Sequence, residues 1–203
     1  MKHFKVMISL IAIAFAFASC GDDSSSSSSN DDDPPALSGE NLKVTELVDK
    51  AVGDSVNDAL SSQKNKIVAK IMFVTEDGEI NYSNDDGSLK ITGKEMDIKI
   101  VMKEFSAEIT EENGTKHTVK MSGTLTKKDT HNRESHSSVI TKKGILDVTF
   151  DDTDHTIGFD YSETEDYSKM DDEGNLPYTI EGKITFDGSE YSYKKSDKKS
   201  LKN

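Results

Sequence analysis

Between Asn65 and Lys195 apolar residues recur at every second position, a period that restricts the chain to strands with one dry and one wet face. The runs are Ile67, Ala69, Ile71 and Phe73; Met96, Ile98, Ile100 and Met102; Leu146, Val148 and Phe150; Ile157, Phe159 and Tyr161; Ile180, Ile184 and Phe186; and Tyr191 with Tyr193. A one-residue slip in pairing would turn every side chain to the other face, so the turns between runs can be tested for matching faces.

Asp77-Gly78 as a two-residue hairpin sets Phe73 against Tyr82 and Thr75 against Ile80. Gly93-Lys94 sets Ile91 against Met96 and Leu89 against Ile98. A three-residue loop of Glu112, Asn113 and Gly114 sets Phe105 against Met121, Ala107 against Val119 and Val101 against Leu125, whereas a two-residue turn there would mix the faces. Thr153-Asp154 pairs Phe150 with Ile157 and Val148 with Phe159, and Gly188-Ser189 pairs Phe186 with Tyr191 and Ile184 with Tyr193. The apolar phase shifts between Met102 and Phe105, which predicts a β-bulge, and Gly144 is a second candidate. The expected fold is mainly β, an antiparallel up-and-down meander of about eight or nine strands.

Only one face of such a sheet is apolar, so the sheet must curl on itself or be covered. A barrel or open half-barrel over residues 65–196 is expected, followed by a charged tail at 197–203. The cover comes from residues 37–64, where Val44, Leu47, Val48, Ala51, Val52, Val56, Ala59 and Leu60 recur at helical spacing. They predict one amphipathic helix over 44–62, with Glu46, Asp49, Lys50, Asp54, Asn57 and Asp58 on its wet face. A membrane-spanning barrel is rejected, because runs such as 80–84 and 88–92 are about half the ~10 residues required and Trp is absent.

Ahead of the helix, residues 1–19 read as a signal peptide: Lys2 and Lys5 precede an apolar run from Val6 to Ala18 that is too short to span a bilayer. Phe17-Ala18-Ser19-Cys20 resembles a lipobox, with Phe17 where that motif usually carries Leu. The resemblance to bacterial lipoproteins implies cleavage between Ser19 and Cys20 and acylation of Cys20, which would cap the chain's one cysteine. Residues 20–36 follow as a disordered Ser- and Asp-rich tether. Cys20-Gly21-Asp22-Asp23 and the serines after it resemble lipoproteins of Fibrobacter and the Bacteroidota. In the latter, acidic residues behind the cysteine go with display on the cell surface. The implied location is the outer membrane, held by lipid and facing the periplasm or the exterior.

Removing residues 1–19 takes the net charge from −13 to −15, because Lys2 and Lys5 go with them. Such a charge excludes nucleic acid as a partner, since that binding depends on cations neutralising phosphates. No catalytic, cofactor or metal motif stands out. His131 and His136 fall in the longest expected polar loop, Lys127–Ser137, with Asp129 and Glu134, but their spacing matches no ligand pattern. His117 and His155 flank turns. The acidic stretches 84–87, 151–154 and 171–175 have the composition of tight turns and lack the full calcium-loop pattern. Tyr167 and Tyr178 flank a loop where they could stack on a sugar. The expected role is therefore a non-enzymatic, lipid-anchored domain acting through surface contacts with a protein partner or as a structural component. The alternative is a carrier with a hydrophobic small molecule inside its half-barrel, by fold analogy with outer-membrane lipoprotein-insertion factors.

Overall fold

The computed structural model describes residues 33–62 and 78–200, apart from 85, 95, 96 and 112. Residues 1–32, with Ser19 and Cys20, lie outside the described residues. So does the strand expected at 67–73, and with it the pairings of Phe73 and Thr75.

Among the described residues one α-helix, α1 (Gly39–Ser62), precedes eight strands: β1 (Gly78–Asn84), β2 (Gly87–Lys94), β3 (Asp97–Thr110), β4 (Lys116–Asn132), β5 (Ser137–Phe150), β6 (Thr153–Asp166), β7 (Asn175–Phe186) and β8 (Ser189–Ser200). The strands form one antiparallel sheet in sequence order, so the up-and-down meander is what the chain adopts. The sheet is not closed: among the described residues β1 and β8 are its two edges, and it is an open half-barrel.

Phe105 faces Met121 and Ala107 faces Val119, as the three-residue loop requires. The bulge between Met102 and Phe105 is present: Lys103 and Glu104 together oppose Ser122, and Glu104 takes φ 50°. Beyond it Ile100, not Val101, faces Leu125, because the extra residue moves the register by one.

Three other registers differ from expectation, each by an even number of residues. Ile91 faces Ile100 and Leu89 faces Met102, with Lys94 against Asp97 closing that hairpin. Phe150 faces Thr153 and Val148 faces His155, so the turn is Asp151-Asp152 rather than Thr153-Asp154. Phe186 faces Ser189 and Ile184 faces Tyr191 across Asp187-Gly188. For the last two the physical reason lies in the turns. Asp151 (φ 45°), Asp152 (φ 67°), Asp187 (φ 49°) and Gly188 (φ 82°) are all left-handed, as the two central residues of a type I′ hairpin must be. An even slip keeps the faces matched, so alternation alone does not detect it.

Gly144 is not a bulge. It pairs in unbroken register with Leu125 and Phe159, and a Cβ there would lie 2.1 Å from the Thr124 carbonyl oxygen. The missing side chain leaves room for the β4 backbone at this point.

Helix α1 begins at Gly39, five residues before its expected start, and lies on the inner face of the sheet. Val44, Val48, Ala51, Val52 and Ala59 are buried against Leu125, Leu146, Ile157, Ile184 and their neighbours in one continuous core. Between Asn41 and Asp49, about 12 Å of helix, side chains reach Glu111 next to the end of β3, and β5, β6 and β8. Those strands would span about 24 Å in a flat sheet, so the sheet wraps around the helix.

The ends of the chain segments are more ordered than expected. Leu37 N–H donates to Ser192 O (2.8 Å), and Ser192 N–H donates to Pro35 O (2.8 Å). The last residues of the expected tether therefore cover part of the β8 edge in parallel. Strand β8 runs to Ser200 and absorbs much of the expected charged tail.

Strands β3 to β8 have 12 to 17 residues, so strand length does not argue against a spanning barrel. The polarity of the faces does. The outer face carries cross-strand ion pairs, Glu79–Lys90, Glu104–Lys120, Glu108–Lys116, Lys143–Asp160 and Lys183–Glu190, where lipid would require apolar side chains. No described helix is long and apolar enough to cross a membrane.

Gly144→Ala should destabilise the fold by roughly 3 kcal/mol or more, since the new methyl group meets backbone that cannot yield locally. Urea unfolding checks this; a loss below about 0.5 kcal/mol would contradict the close approach.

Candidate functional site

The inner face changes character along its length. Toward Phe150 and Phe186 it is apolar and covered by α1. Past Tyr161 and Tyr193 polar side chains enter the inward positions of three strands, Ser138 and Lys142 on β5, Glu163 and Glu165 on β6, Lys195 and Lys199 on β8, while β7 stays apolar at Ile180 and Leu176. Glu165 and Ser138 are buried there, at 4% and 0% exposure. This half of the half-barrel is the candidate site.

Its charges are committed to each other. Lys142 Nζ donates to Asp49 Oδ1 of the helix, and the Tyr161 hydroxyl donates to the other oxygen of the same carboxylate at 2.6 Å. Lys195 Nζ donates to Glu46 Oε1 at 2.9 Å. Lys199 bridges Glu163 (3.1 Å) and Glu165, while the Tyr167 hydroxyl donates to Glu165 Oε2 at 2.6 Å. Ser138 donates to Asp129 Oδ1 at 2.5 Å. No buried side-chain nitrogen or oxygen among the described residues lacks a partner.

Burial pushes the Glu165 carboxyl up, but the hydrogen bonds from Lys199 and Tyr167 outweigh it and hold the group below the usual carboxylate range. Lys199 and Lys195 are the counterparts: burial pulls each ammonium down, and the carboxylates of Glu165 and Glu46 more than reverse it. Burial, then Asp49, pushes Tyr161 far above the ordinary phenol range, so it stays a neutral donor. The hydrogen bond to Glu165 pushes Tyr167 up to about 12.

A second cluster lies at the other end of the sheet. His117 is buried, stacked on Phe150 with ring centroids 4.9 Å apart. Its Nδ1 lies 2.5 Å from Asp151 Oδ2 and its Nε2 lies 2.5 Å from Glu111 Oε1, which Lys43 of α1 also reaches at 2.9 Å. Both ring nitrogens must donate to ionised carboxylates, which requires the imidazolium. The hydrogen bond to Asp151 raises the His117 pKa against the opposing effect of burial, and Glu111 adds to it.

The same clasp recurs two strands on. His155 Nδ1 lies 2.9 Å from Asp187 Oδ2, and the ring packs on Phe186 with centroids 4.8 Å apart. In both copies the first turn Asp accepts from the N–H of the Thr after the His, Thr118 to Asp151 at 2.9 Å and Thr156 to Asp187 at 2.8 Å. The dipeptides His117-Thr118 and His155-Thr156, with Phe150-Asp151 and Phe186-Asp187, carry a signal for this repeat that alternation alone passes over.

Of the residues singled out from sequence, His131 and His136 are not in a long loop. Strand β4 extends to Asn132 and only 133–136 form the turn. His131 sits 3.6 Å from Asp129, and His131, Arg133, His136 and Tyr167 border a shallow depression of about 370 Å³. Among the described residues no three His, Cys, Asp or Glu side chains gather as a metal site. The acidic stretches are turns: Asp171 accepts from the N–H groups of Glu173 and Asn175, and the Asn175 bonds hold its carboxyl down at about 2. Tyr178 has Lys199 Nζ 6.0 Å from its ring centre.

Glu46 and Asp49 correct the helix reading: they face the sheet, because its polar half wraps past the apolar stripe. The signal for this lay in the inward positions of β5, β6 and β8, which turn from apolar to charged partway along each strand.

No known family, curated protein or solved structure matches this chain.

Lys199→Met should cost about 3 kcal/mol by leaving Glu165 buried and uncompensated, and adding Glu165→Gln should recover much of the loss. A double-mutant cycle in urea checks this; equal, additive losses would contradict the coupling.

His117 has a raised folded pKa, so its contribution is complete below its unfolded value near 6.5 and fades as pH rises through the folded value. Unfolding from about pH 5 to about pH 9 should show this loss in the wild type and not in His117→Gln. Identical profiles for the two would contradict the imidazolium clasp.

Proposed function

We propose that the chain is a lipid-anchored, non-enzymatic domain of a bacterial outer membrane, acting through binding or structural contacts rather than turnover. The observation that carries this is the commitment of the inner-face charges. Lys142, Lys195 and Lys199 each hold a carboxylate of the same chain, Glu46, Asp49, Glu163 or Glu165. Groups that a hydrolase would aim at a substrate instead hold helix to sheet and β8 to β6. The anchor rests on Cys20 and the signal-like residues before it. The net charge of −13 supports attachment through lipid rather than through a basic surface.

A second reading, a carrier of a hydrophobic ligand, is favoured by one observation. The apolar half of the inner face is covered by a single helix whose buried side chains are mostly Val and Ala. Such a cover contributes less apolar area than Leu or Phe would, and another apolar body could replace it.

Cells expressing the full chain and fed radiolabelled palmitate should label the wild type and not Cys20→Ala, which should be released in soluble form. Equal labelling would contradict the anchor. The mature chain without lipid should leave chromogenic esters, glycosides and phosphates unchanged; sustained turnover abolished by a single inner-face substitution would contradict the non-enzymatic reading.

A further inference from the structure

The contact between Asp49 and the sheet has the form of a receptor with its ligand in place. One carboxylate oxygen takes the Lys142 ammonium and the other takes the Tyr161 hydroxyl at 2.6 Å. Both donors belong to the sheet, on paired positions of β5 and β6. Both are well sheltered: the Lys142 side chain is 12% exposed and Tyr161 is 5% exposed. Tyr161 is fixed edge-on against Tyr193, with ring centres 5.4 Å apart. Lys142 lies 5.5 Å from the centre of the Tyr161 ring, so the ring face also supports the cation. A neutral phenol and an ammonium side by side form a carboxylate site, and the helix is what fills it.

The floor beside this site is apolar. Along β6 the inward side chains after Tyr161 are Phe159 and Ile157, flanked by Ile184 on β7 and Leu146 on β5. From Tyr161 to Ile157 the floor runs about 13 Å. Val44, Val48 and Val52 of the helix are buried in the same continuous core as this floor. The sheet therefore presents a polar head site continuous with an apolar track, and α1 occupies both parts at once.

We propose that the inner face binds a single-chain amphiphile with a carboxylate head, whose head takes the place of Asp49 on Lys142 and Tyr161 and whose chain takes the place of α1 on Phe159, Ile157 and Leu146. The helix is then a lid carrying its own imitation of the head group. Lys195, held by Glu46 one turn earlier, is a second cation freed when the lid lifts. The proposal rests on the carrier reading and adds the head group to it.

The test uses the mature chain without lipid, dodecanoate, and dodecanol as the neutral counterpart, followed by titration calorimetry. Dodecanoate should bind, and Asp49→Asn should bind it about tenfold more tightly, because the internal competitor is weakened. Adding Lys142→Met to Asp49→Asn should reverse that gain by about tenfold, and dodecanol should respond to neither change. Hydrogen exchange of the wild type supplies a readout that needs no variant: dodecanoate should reduce protection in α1 and leave β3 and β4 protected. If dodecanoate and dodecanol bind alike and Lys142 makes no difference, the head-group proposal is overturned while the carrier reading stands. If neither binds to any form, both are overturned. Binding that leaves α1 protection unchanged places the ligand elsewhere and overturns the proposal.

Discussion

A curved sheet with one apolar face depends on whatever covers that face, and here the cover is helix α1. Val44, Val48 and Val52 are almost wholly withdrawn from water, and each such burial contributes roughly 1.5–3 kcal/mol. The sheet whose inner side chains join them in one core gains the second layer that a single sheet lacks. The rest of the architecture follows from this contact. The meander wraps because its inner side chains converge on one helix, and the bulge at Lys103 and Glu104 bends β3.

Electrostatics complement the burial. The helix presents Lys43, Glu46 and Asp49 at three-residue steps, and each meets an opposite charge on a different part of the sheet: Glu111 just past the end of β3, Lys195 on β8 and Lys142 on β5. These pairs set the rotation of the helix about its axis, because a turned helix would leave charges buried without partners. On the outer face the charges pair strand to strand, which keeps that surface wet without building up a field of one sign. The acidic excess falls largely at turns, where Asp151, Asp171 and Asp187 are tied to local N–H groups.

The class of fold was legible in the sequence, because alternation with period two reports the faces of strands directly. The registers were less so. A slip of two or four residues leaves Phe150 or Ile184 on the same face, and alternation has no information with which to choose. The choice was made by left-handed backbone at Asp151, Asp152 and Asp187, residues that take this conformation less readily than Gly and so signal it less clearly. The polar half of the inner face was hidden for another reason. Lys142, Glu163, Glu165, Lys195 and Lys199 look like ordinary surface charges along the chain. Only the wrapping of the sheet brings them together with Glu46 and Asp49.

The central claim is that α1 is the layer on which the sheet depends, and deleting residues 33–62 from the mature chain tests it most directly. The shortened chain should lose its cooperative urea transition and bind an apolar dye. A peptide of residues 33–62 added in trans should restore the transition. A shortened chain that stays monomeric and unfolds cooperatively with the stability of the intact protein would contradict the account.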